Sequence, residues 1–162
     1  MTTSYKKLKD GTRVWVYLSN RILNKTEVNA IKAQGEAFLR RWSAHGKKLE
    51  AALEVFHNQF IVLFADEEQA KATGCSIDKS VRFIKSLEKE FEIALLDRNL
   101  VAYKDDGRIA TCTRDEILEN FRRGLLKVDT VVFNNLVTTK KEFDAKWQVP
   151  FKESWLFELI ER

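Results

Sequence analysis

The stretch QFIVLF at residues 59–64 and the stretch TGCSIDKSVRFIKSLEKEF at residues 73–91 decide the fold predicted from this sequence. The first is apolar and rich in β-branched and aromatic residues, which is typical of a buried strand. The second places apolar residues at helical spacing on one face: Ile77, Val81, Ile84, Leu87 and Phe91. Charged residues occupy the opposite face, as in an amphipathic helix. We therefore expect a strand over Phe60–Phe64 and a helix from about Ser76 to Phe91.

Three more strands and one more helix are predicted around this stretch. The strands are expected at Arg13–Leu18, Leu49–Phe56 and Ile93–Leu96. The helix begins after Asn24, which stands three residues before Glu27 in the spacing of a capping box, and Gly46 is expected to end it. The dipeptide His57-Asn58 predicts a tight hairpin turn. The order β-α-β-β-α-β predicts an α+β protein with a ferredoxin-like core at residues 12–97.

Gly35 lies on the apolar stripe of the first helix, together with Val28, Ile31, Phe38 and Trp42. A glycine inside a helix costs ~1 kcal/mol relative to alanine. We therefore expect the backbone of another element to approach the helix closely at this point.

Residues 100–162 are predicted to form a second, smaller unit. Val101–Tyr103 and Ile109–Thr111 flank an Asp105-Asp106-Gly107 turn and predict a hairpin. The pairs Thr113/Glu116 and Thr139/Glu142 have capping-box spacing and predict two helices, the first ending at Gly124 and the second reaching Trp147. A strand is expected at Val131–Phe133, and a terminal helix follows Pro150. We expect the terminal helices of this unit to pack on the first domain.

The composition is that of an ordinary globular protein. The 162 residues are 44% hydrophobic and 32% charged, with a net charge of +4, so a nucleic-acid partner is compatible with the charge but is not indicated by it. Residues 1–11 are polar and lysine-bearing, and no long apolar run occurs. We therefore expect no signal peptide, no membrane span and a cytoplasmic location. The two cysteines and two histidines lack metal-ligand spacing, so neither a metal site nor a cofactor is predicted.

Three segments carry a resemblance to a known family: Trp42-Ser43-Ala44-His45-Gly46, Gly74-Cys75-Ser76-Ile77-Asp78 and Phe133-Asn134-Asn135-Leu136-Val137. Over nearly its whole length the chain resembles a family of short, uncharacterised bacterial proteins, some of which carry the label transporter ATPase. A P-loop needs a glycine immediately before Lys-Ser/Thr, so that backbone amides can wrap the phosphates. Here Asp78 precedes Lys79-Ser80, and an acid there repels phosphate. We therefore reject ATPase activity.

A second resemblance covers residues 101–135, which run as hairpin, capped helix, Gly124-Leu125 and then strand. This order is similar to the small GYF-like adaptor modules of bacterial proteins, and related modules bind proline-rich peptides. The aromatic pair and Gly-Pro of the opening hairpin are reduced here to Tyr103 and Gly107. The resemblance therefore implies the topology of an adaptor module and does not carry the peptide-binding motif with it.

One turn combines a thiol, a hydroxyl and a helix N-terminus. Cys75 stands where the positive end of the helix dipole can lower the pKa of a thiol. In the ferredoxin-like plan His45 lies at the same edge of the sheet, where it could act as a base for Cys75, with Asp78 orienting the imidazole. The other interpretation is that Cys75 is a small buried residue and that Ser76 only caps the helix. We favour the structural interpretation.

Both faces of the predicted sheet are apolar, although a ferredoxin-like sheet has helices on only one. Trp15 and Tyr17 point to one face of the first strand, and Val14, Val16 and Leu18 point to the other. The second face is either an aromatic platform for nucleic-acid bases or is covered by the carboxy-terminal segment. We favour coverage, and the residues expected to provide it are Phe133, Trp147, Phe151 or Trp155.

These patterns favour a non-catalytic binding or adaptor protein with a protein or peptide partner. Its candidate binding residues are Gly74, Ser76, Trp15, Tyr17, Tyr103, Phe133 and Asn134. The alternative is a thiol-dependent enzyme that acts on a small molecule and uses Cys75, His45 and Asp78. An RNA-binding domain is the third hypothesis.

Overall fold

The computed structural model describes residues 4–44, 46–67 and 73–160. In chain order the elements are β1 (Arg13–Leu18), α1 (Lys25–Arg41), β2 (Ser43–Ala44), β3 (Lys47–Lys48), β4 (Glu50–Phe56), β5 (Phe60–Asp66), α2 (Gly74–Phe91), β6 (Leu100–Asp105), β7 (Arg108–Thr113), α3 (Arg114–Arg122), β8 (Val131–Phe133), α4 (Lys140–Lys146), β9 (Gln148–Pro150) and α5 (Trp155–Ile160). Two 3₁₀ turns lie at Tyr5–Lys7 and Phe151–Glu153. The described part of the chain is therefore a mixed α+β structure.

The first sheet is antiparallel and has the strand order β1-β5-β4. A tight turn joins β4 to β5, as predicted, because His57 and Asn58 both adopt the left-handed conformation, with φ of 53° and 54°. The capping box at the start of α1 is also confirmed, since the Asn24 side chain accepts a hydrogen bond from the Glu27 amide. Gly46 was expected to end this helix. It instead lies in the turn between β2 and β3 with φ of 75°, because α1 already ends at Arg41.

The predicted fourth strand of this sheet is wrong. Residues 93–97 are extended chain outside any strand. Their amides bond elsewhere: Leu95 N donates to the Glu88 carboxylate at 2.7 Å, and Ala94 N donates to the Asn20 side chain at 2.9 Å. The outer edge of β1 is bonded to the carboxy-terminal half of the chain, because the Val14 amide donates to the Thr138 carbonyl at 2.9 Å. The first half of the chain therefore lacks one strand of the expected βαββαβ plan.

The second sheet is antiparallel, with the order β7-β6-β8-β9. Its hairpin turns at Asp106-Gly107, both with positive φ, as the sequence predicts. Thr113 and Thr139 cap α3 and α4 by accepting the amides of Glu116 and Glu142. These elements confirm the hairpin, the capped helices and the strand expected in residues 100–162.

The carboxy-terminal segment covers the second face of the first sheet. Phe60, Val62 and Phe64 of β5 are completely buried there. The residues that cover this face include Phe133, Val137, Phe143 and Trp147. The expected coverage is therefore confirmed for Phe133 and Trp147. It is wrong for Phe151 and Trp155, which pack in a separate cluster with Ile117 and Leu118 of α3.

The opposite face of the first sheet packs against α1 and α2. Tyr17, Ile61 and Leu63 supply its sheet side, and Ile31, Phe38, Ile84 and Leu87 supply its helix side. Gly35 lies in this contact, as expected. What approaches it is the side chain of Leu53, whose Cδ2 would stand 3.0 Å from a Cβ at position 35. The expected approach is therefore real, but a leucine side chain makes it instead of a backbone.

Candidate functional site

The turn that opens α2 is a structural cap. Thr73 is the N-cap residue, and its side chain accepts the Ser76 amide at 3.1 Å, while the Thr73 amide donates to Ser76 Oγ at 2.7 Å. The helix therefore begins at Gly74, two residues before the predicted start, and Ser76 is its third residue. Ser76 is buried, and its carbonyl accepts the indole N–H of Trp42 at 2.8 Å. The Ser76 hydroxyl is thus occupied by the cap.

The proposed thiol site is only partly described. Cys75 and Asp78 are both exposed, and in the described ranges neither forms a hydrogen bond or an ion pair through its side chain. His45 lies outside the described residues. The pairing of Cys75 with His45 therefore stays a prediction. The second cysteine, Cys112, is half-buried, and burial followed by the nearby Glu116 raises its pKa to about 11, so it is a poor nucleophile at neutral pH.

The candidate binding residues are not brought together. Trp15 and Tyr17 lie in the core beneath the helices, where burial raises the pKa of Tyr17 to about 12. Phe133 lies on the opposite face of the first sheet. Tyr103 packs against the cluster around α3. Asn134 is half-buried and accepts the Leu136 amide at 3.1 Å, while Gly74 is exposed at the start of α2. These residues are therefore spread over four separate parts of the fold.

An aromatic cluster occupies the face on which base stacking was considered. Trp147 lies at its centre, with ring centroids 4.6 Å from Phe143 and 5.0 Å from both Phe60 and Phe133. The His57 ring lies over Phe133 and Trp147 at 5.6 and 5.9 Å. Since the rings of β5 have no exposed surface, they cannot accept nucleic-acid bases. The platform interpretation of this face is therefore wrong.

His57 makes the stability of this cluster depend on pH. Burial, and then the nearby positive charge of Lys104, lower its pKa below the usual 6.5. The folded state therefore disfavours the charged imidazole, and the unfolded state gains a proton first as pH falls through 6.5. We expect the free energy of unfolding to decrease as pH falls from 6.5 towards the lower folded-state pKa, with no such decrease above 6.5. Urea unfolding at a series of pH values measures it.

The control for this prediction uses the only other histidine. The substitution His57→Asn keeps a residue that tolerates the left-handed conformation, and we expect it to remove the decrease between about pH 5 and 6.5. The substitution His45→Asn should leave the decrease in place. Glu27 and Glu142, whose pKa values hydrogen bonds lower, cost stability mainly as pH falls below their ordinary value of 4.5, which lies under this window. An unchanged profile in His57→Asn would contradict the assignment.

A groove between the end of α1 and the middle of α2 is the candidate binding site. Its volume is about 430 Å³, and the residues that line it are Phe38, Arg41, Trp42, Lys79, Arg82, Phe83 and Ser86. The rings of Phe38 and Phe83 stack with centroids 4.6 Å apart and planes at 4°. Trp42, held by its bond to the Ser76 carbonyl, contacts Phe38 at 5.4 Å. Phe38 and Trp42 are almost completely buried, so the half-buried Phe83 supplies the accessible aromatic surface of the floor. We call this groove the helix groove.

Three cations surround this floor. Arg41, Lys79 and Arg82 are exposed, and none of them forms an ion pair within the part of the chain that the structure describes. The adjacent Arg40, by contrast, lies 3.9 Å from the Glu36 carboxylate and does not line the groove. An apolar floor with unpaired positive charges at its rim suits a ligand that carries both an apolar group and negative charge.

The sequence did not predict this groove because the buried face of α2 differs from the predicted apolar stripe. Ser76 and Ser80 are buried in the helix contact, whereas Ile77 and Val81 are only half-buried. Ser80 fits there because its hydroxyl donates to the Ile77 carbonyl at 2.6 Å, which satisfies its polar group. The sequence does carry one signal for the groove. Phe83 lies outside the predicted apolar stripe and follows Arg82 of the charged face. An exposed aromatic residue is unexpected at that position.

Comparison of the chain with protein-family models, with curated proteins and with solved structures found no match. Within the described ranges, no group of three His, Cys, Asp or Glu residues is placed to hold a metal ion. Nor does any helix there have both the length and the apolar character to cross a membrane. The geometry of the helix groove therefore carries the functional argument.

Proposed function

We propose that this chain is a non-catalytic binding protein that holds an acidic segment of a partner protein in the helix groove. The observation that supports this function is the set of three unpaired cations, Arg41, Lys79 and Arg82, around the stacked rings of Phe38 and Phe83. Interfaces combine a desolvated apolar centre with a polar rim, and aromatic residues and arginine are enriched in them. The helix groove has this composition.

The partner segment should carry an apolar side chain flanked by carboxylates. The groove volume of about 430 Å³ suits one or two large side chains more than a folded element. An aromatic or leucine side chain can pack on Phe83, which Phe38 supports from behind, while glutamates reach Arg41 and Arg82 at the rim. Exposed rim charges act mainly on the association rate and on specificity, so binding should weaken with salt.

The fold supports the same assignment to a binding scaffold. The order β1-β5-β4, with α1 and α2 on one face, supports a ferredoxin-like plan from which the last strand is missing. The order β6-β7-α3-β8 supports the GYF-like resemblance of residues 101–135. The ferredoxin-like plan and the GYF-like resemblance are both part of the proposal, and neither of them identifies the ligand.

Titration of the ¹⁵N-labelled chain with an acidic peptide tests this function. The probe is a synthetic peptide of about ten residues with one phenylalanine flanked by glutamates, and its comparison is the same peptide with glutamine at each glutamate. We expect amide shifts confined to the end of α1 and the middle of α2, which line the groove. The glutamine peptide should bind at least ~10-fold more weakly, as should the glutamate peptide in high salt.

Charge reversal in the groove provides the matched variants. The double substitution Arg41→Glu with Arg82→Glu should weaken binding of the glutamate peptide at least ~10-fold, since two attractive contacts become repulsive. Lys85→Glu changes the charge of the same helix outside the groove and should have less than ~2-fold effect. Equal binding of both peptides, or an equal loss in Lys85→Glu, would show that only the general positive charge of the chain attracts the probe.

A further inference from the structure

Helices α1 and α2 run in opposite directions along the helix groove. At the start of α2, the Ser76 carbonyl accepts a hydrogen bond at 2.8 Å from Trp42, which directly follows α1. Near the end of α2, the Glu90 carboxylate accepts one at 2.6 Å from the side chain of Gln34, about two turns earlier on α1. The stacked phenylalanine rings of the floor lie between these two contacts. The groove therefore has two different ends, which we call the Trp42 end and the Glu90 end.

The positive charges of the groove lie towards the Trp42 end. Arg41 is the last residue of α1, and Lys79 and Arg82 belong to the first half of α2. All three line the groove and are exposed. Since no ion pair holds them in the part of the chain that the structure describes, their charges are available to a ligand at this end.

The other end of the groove carries a negative charge. Ser86 is the last residue of α2 that lines the groove, and Glu90 follows it by four residues, so both project from the same face of the helix. Gln34, which holds the Glu90 carboxylate across the gap between the helices, is itself neutral. Lys89 projects about 100° away from Glu90 around the helix and does not line the groove. The charge along the groove therefore changes from positive to negative.

The two charged ends are far enough apart to act separately on a ligand. Lys79 and Glu90 differ by eleven positions, which is about 16 Å along the helix axis, whereas the Debye length is about 10 Å at 0.1 M salt. A carboxylate beside Ser86 would lie about 6 Å along the axis from Glu90, which is within this screening length. An acidic side chain is therefore attracted at one end of the groove and repelled at the other.

We infer that the helix groove selects a partner segment whose carboxylates lie on only one side of its apolar residue. This inference rests on the proposed function and narrows the class of partner. The apolar side chain packs on Phe83, and the acidic side of the segment lies at the Trp42 end. Glu90 is a specificity-determining residue, because it repels segments that carry acids on the other side as well.

Two peptides test the inference by titration of the ¹⁵N-labelled chain in low salt. The one-sided peptide has a phenylalanine with two glutamates on one side and two glutamines on the other, and the flanked peptide has two glutamates on each side. The one-sided peptide is made with its glutamates before or after the phenylalanine, and the tighter-binding form is compared. We expect it to bind about 2–5-fold more tightly than the flanked peptide, the range of an exposed charge contact. General attraction to the positive chain predicts the opposite order, since the flanked peptide has more negative charge.

The substitution Glu90→Gln identifies the residue responsible. It removes the charge but keeps a side-chain oxygen that accepts the bond from Gln34, so the contact between the helices is retained. We expect the flanked peptide to bind this variant at least as tightly as the one-sided peptide. Glu158→Gln, an equal change of charge at an exposed position of α5, is the matched control and should leave the preference for the one-sided peptide unchanged.

A nitroxide on the acidic end of the one-sided peptide locates that end in the groove. We expect it to broaden the amide signals around Arg41 and Lys79 and to leave those around Glu90 sharp. Broadening around Glu90, tighter binding of the flanked peptide to the natural chain, or an unchanged preference in Glu90→Gln would each overturn this inference and leave the proposed function in place. If neither peptide shifts the amides of the groove, the proposed function itself is wrong.

Discussion

Replacing Trp147 by alanine is expected to lower the free energy of unfolding by about 3–5 kcal/mol. Trp147 packs between the two halves of the chain, where its ring contacts Phe60 of β5, Phe133 of β8 and Phe143 of α4. Removing the indole leaves a cavity that these rings, already packed against one another, can fill only in part. Urea unfolding followed by circular dichroism at neutral pH measures the loss.

The matched variant for this prediction is Trp147→Phe. It keeps an aromatic ring in the cluster but removes the indole N–H that donates to the Asn135 side chain at 3.0 Å. We expect it to cost about 1–2 kcal/mol, the range of a lost hydrogen bond with a small change of volume. A loss below about 1 kcal/mol in Trp147→Ala would mean that the carboxy-terminal segment does not contribute its packing to the first sheet.

Replacing Gly35 by valine is expected to lower the free energy of unfolding by about 1–3 kcal/mol. A Cβ at this position would already stand 3.0–3.3 Å from three atoms of the Leu53 side chain, and the two methyl groups of valine need more room than that. Leu53 packs in the core of the first sheet and has little space to move. The same urea experiment measures the effect, with far-ultraviolet circular dichroism to follow helix content.

Alanine at the same position separates crowding from helix propensity. In Gly35→Ala the end of the flexible Leu53 side chain must shift by a few tenths of an ångström, while α1 gains about 1 kcal/mol from the better helix former. We therefore expect a change within about 1 kcal/mol of the natural chain. If valine proved as well tolerated as alanine, the contact between α1 and β4 would be looser than the structure has it.

The surface proposed for binding belongs to the first half of the chain. The helix groove lies where α1 and α2 meet. The carboxy-terminal half covers the remaining face with Phe133, Val137, Phe143 and Trp147. This half therefore acts as a support that leaves the helix groove accessible.

Local patterns in the sequence were sufficient for most of the elements. The capping residues Asn24, Thr113 and Thr139 act within one helical turn, and the turns at 57–58 and 106–107 depend on two residues each. The alternation in β1 correctly separated the two faces of the sheet. These features are predictable because their causes lie within a few residues.

The tertiary structure decided the features in which distant groups compete. Residues 93–96 have strand-like composition, but the Glu88 carboxylate takes the Leu95 amide, and Thr138 bonds to the edge of β1 instead. Ser76 and Ser80 replace the expected apolar residues in the contact of α2, because local bonds satisfy their hydroxyl groups.

The candidate binding site depends on the same kind of long-range contact. The helix groove exists only because Phe38 of α1 and Phe83 of α2 stack across 45 residues of chain. Sequence patterns show which side chains are apolar or charged. Only the packed structure decides which of them meet, because hydrophobic contact has no preferred direction and no fixed separation along the chain.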